Sequence, residues 1–168
     1  MTRRTRNPLS GGLLEIAVHL TSIRGRRIVE QAAFRRALSS AYYAVFHCLC
    51  QICCDGLRLW TASADEIELV YRNLEHNKAR DVLVSPRART LHPDVSAVAD
   101  VFIALRRWRE DADYSPPGRL GSEQKVLTRT ETRTLIAAAE ETVGLLDELP
   151  LDVRRKLAIL LTTRSSRR

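Results

Sequence analysis

Apolar positions recur three and four residues apart along most of this chain, the period of helices with one buried face. Leu13, Ile16, Ala17, Leu20 and Ile23 predict a first helix over 12–23, which Gly25 breaks. Phe34, Leu38, Ala41, Tyr42, Val45, Leu49 and Ile52 form the stripe of a long second helix over about 30–54, closed by Asp55-Gly56. Ser63-Ala64-Asp65-Glu66 is a capping box that opens a third helix, with Ile67, Val70, Tyr71 and Leu74 inward, fading before Pro86. Pro93 and Asp94 open a fourth, carried by Val95, Val98, Phe102, Leu105 and Trp108 and stopped by Ser115-Pro116-Pro117-Gly118. A fifth over about 128–149 buries Leu135, Ala139, Val143 and Leu146, and Pro150 separates it from a short sixth over about 152–161.

No internal repeat and no glycine-rich phosphate loop interrupts this pattern, and few stretches alternate as strands do. The expectation is an all-α fold: an up-and-down antiparallel bundle of five to six helices over residues 12–162, with basic, disordered tails at 1–11 and 163–168. At 168 residues, 45% hydrophobic and 28% charged, the chain has the size and balance of one soluble globular domain. No unbroken apolar run approaches the roughly 20 residues that span a bilayer, and the N-terminus lacks a signal-peptide core. A cytoplasmic protein without a membrane partner is expected.

The net charge of +7 changes this picture less than its size suggests. Three arginines in the first six residues and three in the last five carry six of those seven charges, leaving a nearly neutral body. The tails would draw RNA or acidic partners in a salt-dependent way, or simply keep the chain soluble. Cys48, Cys50, Cys53 and Cys54 crowd into about a turn and a half of one helix, and no second pair completes a tetrahedral zinc set. They read as small apolar packing residues, with no metal and no cofactor expected.

Three groups of side chains can carry chemistry. On the second helix Arg36, Ser39, Ser40, Tyr43 and His47 line the flank beside the core stripe, where they would bind a phosphate or base, or seal a helix interface. On the third, Arg72 and His76 stand four apart with Arg80 a turn on. A phosphate-holding guanidinium beside a proton-moving imidazole is the minimum for metal-free RNA cleavage, and the bland alternative is a solvated basic face. On the fourth, Arg109 and Asp113 pair near the helix C-terminus. An acid at that negative end needs a partner, either Arg106, Arg109 or a base on the second helix. Tyr114 follows, and a clamp closing the bundle is the structural alternative.

At these residues the sequence resembles the HEPN domain family of bacteria and archaea. Ser39-Ser40-Ala41-Tyr42-Tyr43-Ala44-Val45-Phe46-His47 is similar to its S-x-A-Y-Y-A-x-F-H helix, and Arg109-Glu110-Asp111-Ala112-Asp113-Tyr114 to its R-x-x-A-D-Y helix end. Val70 to Arg80 looks like the intervening helix of one branch, and the likeness covers roughly residues 12–150. It implies a helical bundle, commonly a homodimer, working beside a minimal nucleotidyltransferase or within toxin–antitoxin, defence or stress-response systems. Active members are metal-independent ribonucleases that display an arginine and, a few positions on, a histidine; here Tyr114 stands where that histidine would fall.

The expected function is therefore a module that binds RNA, a nucleotide or a nucleotidyltransferase partner through Arg36, Tyr43, His47, Arg109, Asp113 and Tyr114. The enzymatic alternative is a ribonuclease toxin with Arg72 or Arg109 on the phosphate and His76 or His47 as base. A purely structural dimerisation domain is the third reading.

Overall fold

A computed structural model describes residues 6–116, 119 and 126–163 of the chain. The described residues form eight α-helices, one short 3-10 turn and no strand. The helices are α1 (Pro8–Ser22), α2 (Arg27–Gly56), α3 (Ala64–Asn73), α4 (His76–Val84), α5 (Pro86–Arg89), α6 (Pro93–Tyr114), α7 (Arg129–Glu148) and α8 (Leu151–Thr162). The count exceeds the expected five or six because the third predicted helix divides into α3 and α4 and a short, unpredicted α5 follows it.

α2 is the axis. α1, α6, α7 and α8 all pack on it, and Leu38, Tyr42, Leu49 and Ile52 are almost wholly enclosed. Contacts fix the directions of run. Ser10 donates to the Ala44 carbonyl at 2.8 Å and Asn7 to that of His47 at 3.0 Å, so α1 runs against α2. Arg35 meets Ala112 and Tyr43 meets Arg109, so α6 also opposes α2, whereas Glu30 meets Arg129 and Cys48 meets Asp147, which sets α7 alongside it. α2 is long and apolar enough to cross a membrane, and 78% of its most apolar stretch is buried by its neighbours. Burial by other helices accounts for that composition.

The N-terminal boundary needs correction. Helix α1 starts at Pro8, not near residue 12, because Asn7 accepts hydrogen bonds from the Leu9 and Ser10 amides and Pro8 takes the first helical position, where its missing N–H costs nothing. Asn7 is only 3% exposed and also donates to the Tyr71 hydroxyl at 2.8 Å. Residues 7–11 thus belong to the fold rather than to a tail. The remaining tail residues, 1–5 and 164–168, and the stop signal at Pro117-Gly118 lie outside the described residues.

The predicted capping box at Ser63 forms as a reciprocal pair with Glu66, and a second one, not anticipated, joins Thr128 and Glu131. Pro86 opens α5 instead of only ending the previous helix, with Ser85 as its cap. Between α3 and α4 the chain leaves helical geometry at Leu74 and Glu75, whose ψ angles are 103° and 142°. Leu74 is buried there, and α4 sets off anew with Ala79 and Leu83 inward.

Candidate nucleic-acid interface

The flank of α2 that carries Arg36, Ser39 and Tyr43 faces the C-terminal end of α6. Arg109 is central. Its Nη2 donates to the Tyr43 hydroxyl at 2.9 Å, and its guanidinium lies 5.6 Å from the ring centres of both Tyr43 and Tyr114. Its Nε stands 2.8 Å from Asp113 Oδ2 but off the direction of the N–H bond, so the pair is Coulombic and this buried donor makes no hydrogen bond. Burial disfavours the Arg109 charge, but Tyr43 and Asp113 outweigh it and raise its pKa.

Asp113 resolves the puzzle of an acid at a helix C-terminus. Its Oδ1 accepts from Ser39 Oγ at 2.7 Å, its Oδ2 faces Arg109, and Arg36 approaches at 3.9 Å with a side chain that is 74% exposed. Arg106 is not its partner; it hydrogen-bonds Asn77 at 2.7 Å and pairs with Glu110 at 3.0 Å. Tyr114, 75% exposed, closes the row as an open aromatic face.

Below this row lies a nest of rings. Tyr42 is 1% exposed, and its hydroxyl is 2.8 Å from His76 Nδ1, while the His76 ring centre is 4.0 Å from that of Phe46. His47 stacks against Tyr71 at 5.8 Å and lies 6.5 Å from Tyr43, and its buried Nδ1 has no hydrogen-bond partner. Burial lowers the pKa of both histidines, and Arg109, Arg106 and His47 lower that of His76 further. Both rings are neutral near pH 7.

The structure thus gathers Arg36, Tyr43, His47, Arg109, Asp113 and Tyr114 along one crevice, and it adds His76. It does not bring Arg72. That side chain is exposed and hydrogen-bonds Glu68 of its own helix at 2.6 Å, and the break at Leu74–Glu75 puts His76 on a different helix. The expected face shared by Arg72 and His76 therefore does not exist; Arg80, four residues after His76 in α4, pairs with its neighbour Asp81.

Sequence reasoning also missed three contributors. Tyr42 belongs to the core stripe, yet its hydroxyl also holds His76. Arg35 donates to the carbonyls of Ala112, Ser115, Pro116 and Arg119, capping α6 from across the crevice. Arg106 joins α6 to the first turn of α4. The tyrosine had a signal, since a buried hydroxyl must find a partner; the arginines had none.

The four cysteines are all buried thiols, and burial pushes Cys50 up to about 12 and Cys48 well above the usual range. Among the described residues no cluster of His, Cys, Asp and Glu can hold a metal ion. An open groove of about 300 Å³ lies elsewhere, between Arg58 and the start of α8, but its acids are already engaged: Asp55 with Arg154, and Asp152 with Lys156. The crevice therefore offers the richer chemistry: cations and imidazoles beside an exposed ring. Compared with family models, with curated proteins and with solved structures, the chain finds no match.

Proposed function

We propose that this chain is a HEPN-type module that binds single-stranded RNA or a nucleotide through the crevice between α2 and α6. One observation carries the reading: the Arg109 guanidinium is held between two tyrosines, under a Tyr114 ring that is open to solvent. Stacking of bases on an aromatic ring beside phosphate-seeking cations is how single strands are held without sequence readout. Arg36, exposed and only loosely tied to Asp113, supplies a second cation. The family resemblance adds a homodimer and a nucleotidyltransferase partner in a toxin–antitoxin, defence or stress-response setting.

Fluorescence anisotropy with a labelled single-stranded RNA tests the reading. Tyr114→Ala is expected to weaken binding by roughly tenfold or more, from the ~1–3 kcal/mol of one stacked base. Arg109→Ala is expected to weaken it and to flatten the salt dependence by about one phosphate contact. Arg72→Ala, off the crevice, is the control. Binding that is absent at low salt, or unchanged in both crevice variants, refutes the proposal.

A second reading, a metal-independent ribonuclease, is favoured by His76, whose pKa Arg109 lowers, and by His47 against Tyr43. It requires RNA cleavage that chelators leave intact and that His76→Ala or His47→Ala removes. A purely structural dimerisation domain instead requires Arg109→Ala to change stability and no binding.

A further inference from the structure

The bond between Tyr42 and His76 has only two arrangements. Either the phenol donates to Nδ1, or Nδ1–H donates to the phenol oxygen and the phenolic proton then needs another acceptor. Tyr42 is 1% exposed, and its hydroxyl has no partner besides His76 among the described residues. The second arrangement strands a buried donor. The first is favoured by roughly tenfold or more on the cost of such a group. Burial, only partly offset by Arg106 and Arg109, keeps the phenol protonated and so keeps it a donor. With Nδ1 occupied, the proton of neutral His76 sits on Nε2.

His76 Nε2 makes no hydrogen bond to any described residue and is not among the buried unpartnered atoms. The cations of Arg106 and Arg109 act on this ring, although their own guanidinium groups are already paired with Asn77, Glu110, Tyr43 and Asp113. His76 Nε2 is thus a donor with nothing described to donate to in a positive field, which favours an acceptor oxygen carrying negative charge.

We propose that Tyr42 is a positioning residue that fixes His76 as an Nε2–H donor to a non-bridging phosphate oxygen of the ligand, so that His76 binds the phosphate and does not abstract a proton. The ligand class rests on the nucleic-acid reading above; the tautomer does not. If the protein cleaves RNA, the base is then not His76, and His47 is the remaining histidine of the crevice.

Nitrogen-15 NMR of imidazole-labelled protein near pH 7 reads the tautomer directly, with the His76 signals assigned through His76→Gln. The expected result is a protonated Nε2 and a bare Nδ1 in the wild type and a mixture of tautomers in Tyr42→Phe, which removes only a hydroxyl. A labelled oligouridylate should bind Tyr42→Phe and His76→Ala roughly fivefold more weakly, the size of one hydrogen bond. His76→Gln, whose amide offers an N–H near the place of Nε2, should bind about as well as wild type. A proton on Nδ1 in the wild type, an unchanged tautomer in Tyr42→Phe, or a Gln variant as weak as Ala overturns the proposal. If Arg109→Ala and Tyr114→Ala abolish binding while the tautomer ignores Tyr42, the module reading stands and this inference falls. If no oligonucleotide binds, titration with inorganic phosphate decides: a shifted His76 Nε2–H resonance retains the inference, and an unmoved one ends it.

Discussion

Arg154→Ala should be the most damaging single substitution outside the crevice. Arg154, at 3% exposure, donates Nη1 to Asp55 Oδ2 at 2.8 Å and Nε to the Leu149 carbonyl at 2.7 Å, and Nη2 reaches the Asp147 carbonyl. It therefore closes the C-terminal end of α7 and neutralises an acid at the end of α2. Truncation leaves Asp55, 6% exposed, with Gln51 at 3.0 Å and a distant Arg6 at 3.8 Å, and it strips two helix-end carbonyls of their donor. Breaking one half of a buried pair costs about 3–5 kcal/mol, against a total stability of roughly 5–15 kcal/mol. For a chain of this size each kcal/mol is worth about 2–4 °C, so the melting point should fall by roughly 10 °C. Thermal melts followed by circular dichroism measure this. Adding Asp55→Asn should recover part of the loss, because the neutral amide removes the stranded charge. Arg154→Lys should lie between, since an ammonium cannot span three acceptors as the guanidinium fork does. RNA affinity of the folded fraction should not move. A loss below about 1 kcal/mol, or a double variant worse than the single one, would refute the assignment of Arg154 as the buried tie.

Gly56→Ala should destabilise by about 1–3 kcal/mol in urea unfolding, because a Cβ there would lie 2.4 Å from Ala158 Cβ and 2.9 Å from the Arg154 carbonyl; Ala158→Gly should rescue it only in part, since the backbone contact remains. Cys48, Cys50, Cys53 and Cys54 should react with a thiol reagent at pH 8 no faster than the protein opens, and rapid labelling of the native state would contradict their burial. Because His47 and His76 have folded pKa values below the unfolded value of about 6.5, the unfolded chain binds more protons in that window. Stability should thus be full above pH 6.5 and decline as the pH falls through that value toward the folded pKa values, a trend that urea midpoints across pH 5–8 would reveal and that His76→Gln should reduce. Asp113→Asn keeps an acceptor for Ser39 but removes the charge that competes for Arg109, so RNA affinity should rise severalfold while stability drops by about 1 kcal/mol; a drop in affinity would contradict the competition.

What could be read from the sequence divides along a physical line. Elements whose limits are set by neighbouring residues were legible: the capping box at Ser63, the start of α7 near Thr128, the stop after Tyr114, the long stripe of α2. The proline punctuation was harder, because the same residue ends one helix and begins the next. Asn7-Pro8 and Ser85-Pro86 are both a cap followed by a first helical residue, as the Pro93 start is; placing Pro8 in a basic tail and reading Pro86 as a stop hid two helix starts. The break at Leu74–Glu75 has no glycine or proline to announce it. It exists because burying Leu74, Ala79 and Leu83 while seating His76 on Phe46 requires two axes, a tertiary demand that overrides a continuous helical pattern. The same demand undid the pairing of Arg72 with His76. Spacing places two residues on one face only while the helix between them survives.

The clamp and the binding site, set against each other in the sequence, use the same atoms in different directions. Ser39 to Asp113, Tyr43 to Arg109 and the Arg35 cap hold the end of α6 against α2, and these bonds point inward. Yet Arg36 is mostly exposed, and Tyr114 keeps its ring in water. An arrangement optimised only for holding would replace Arg109 with an apolar residue filling the space between Tyr43 and Tyr114, at no electrostatic cost. The retained charge and its open aromatic cover are what the binding proposal accounts for and a clamp alone does not require.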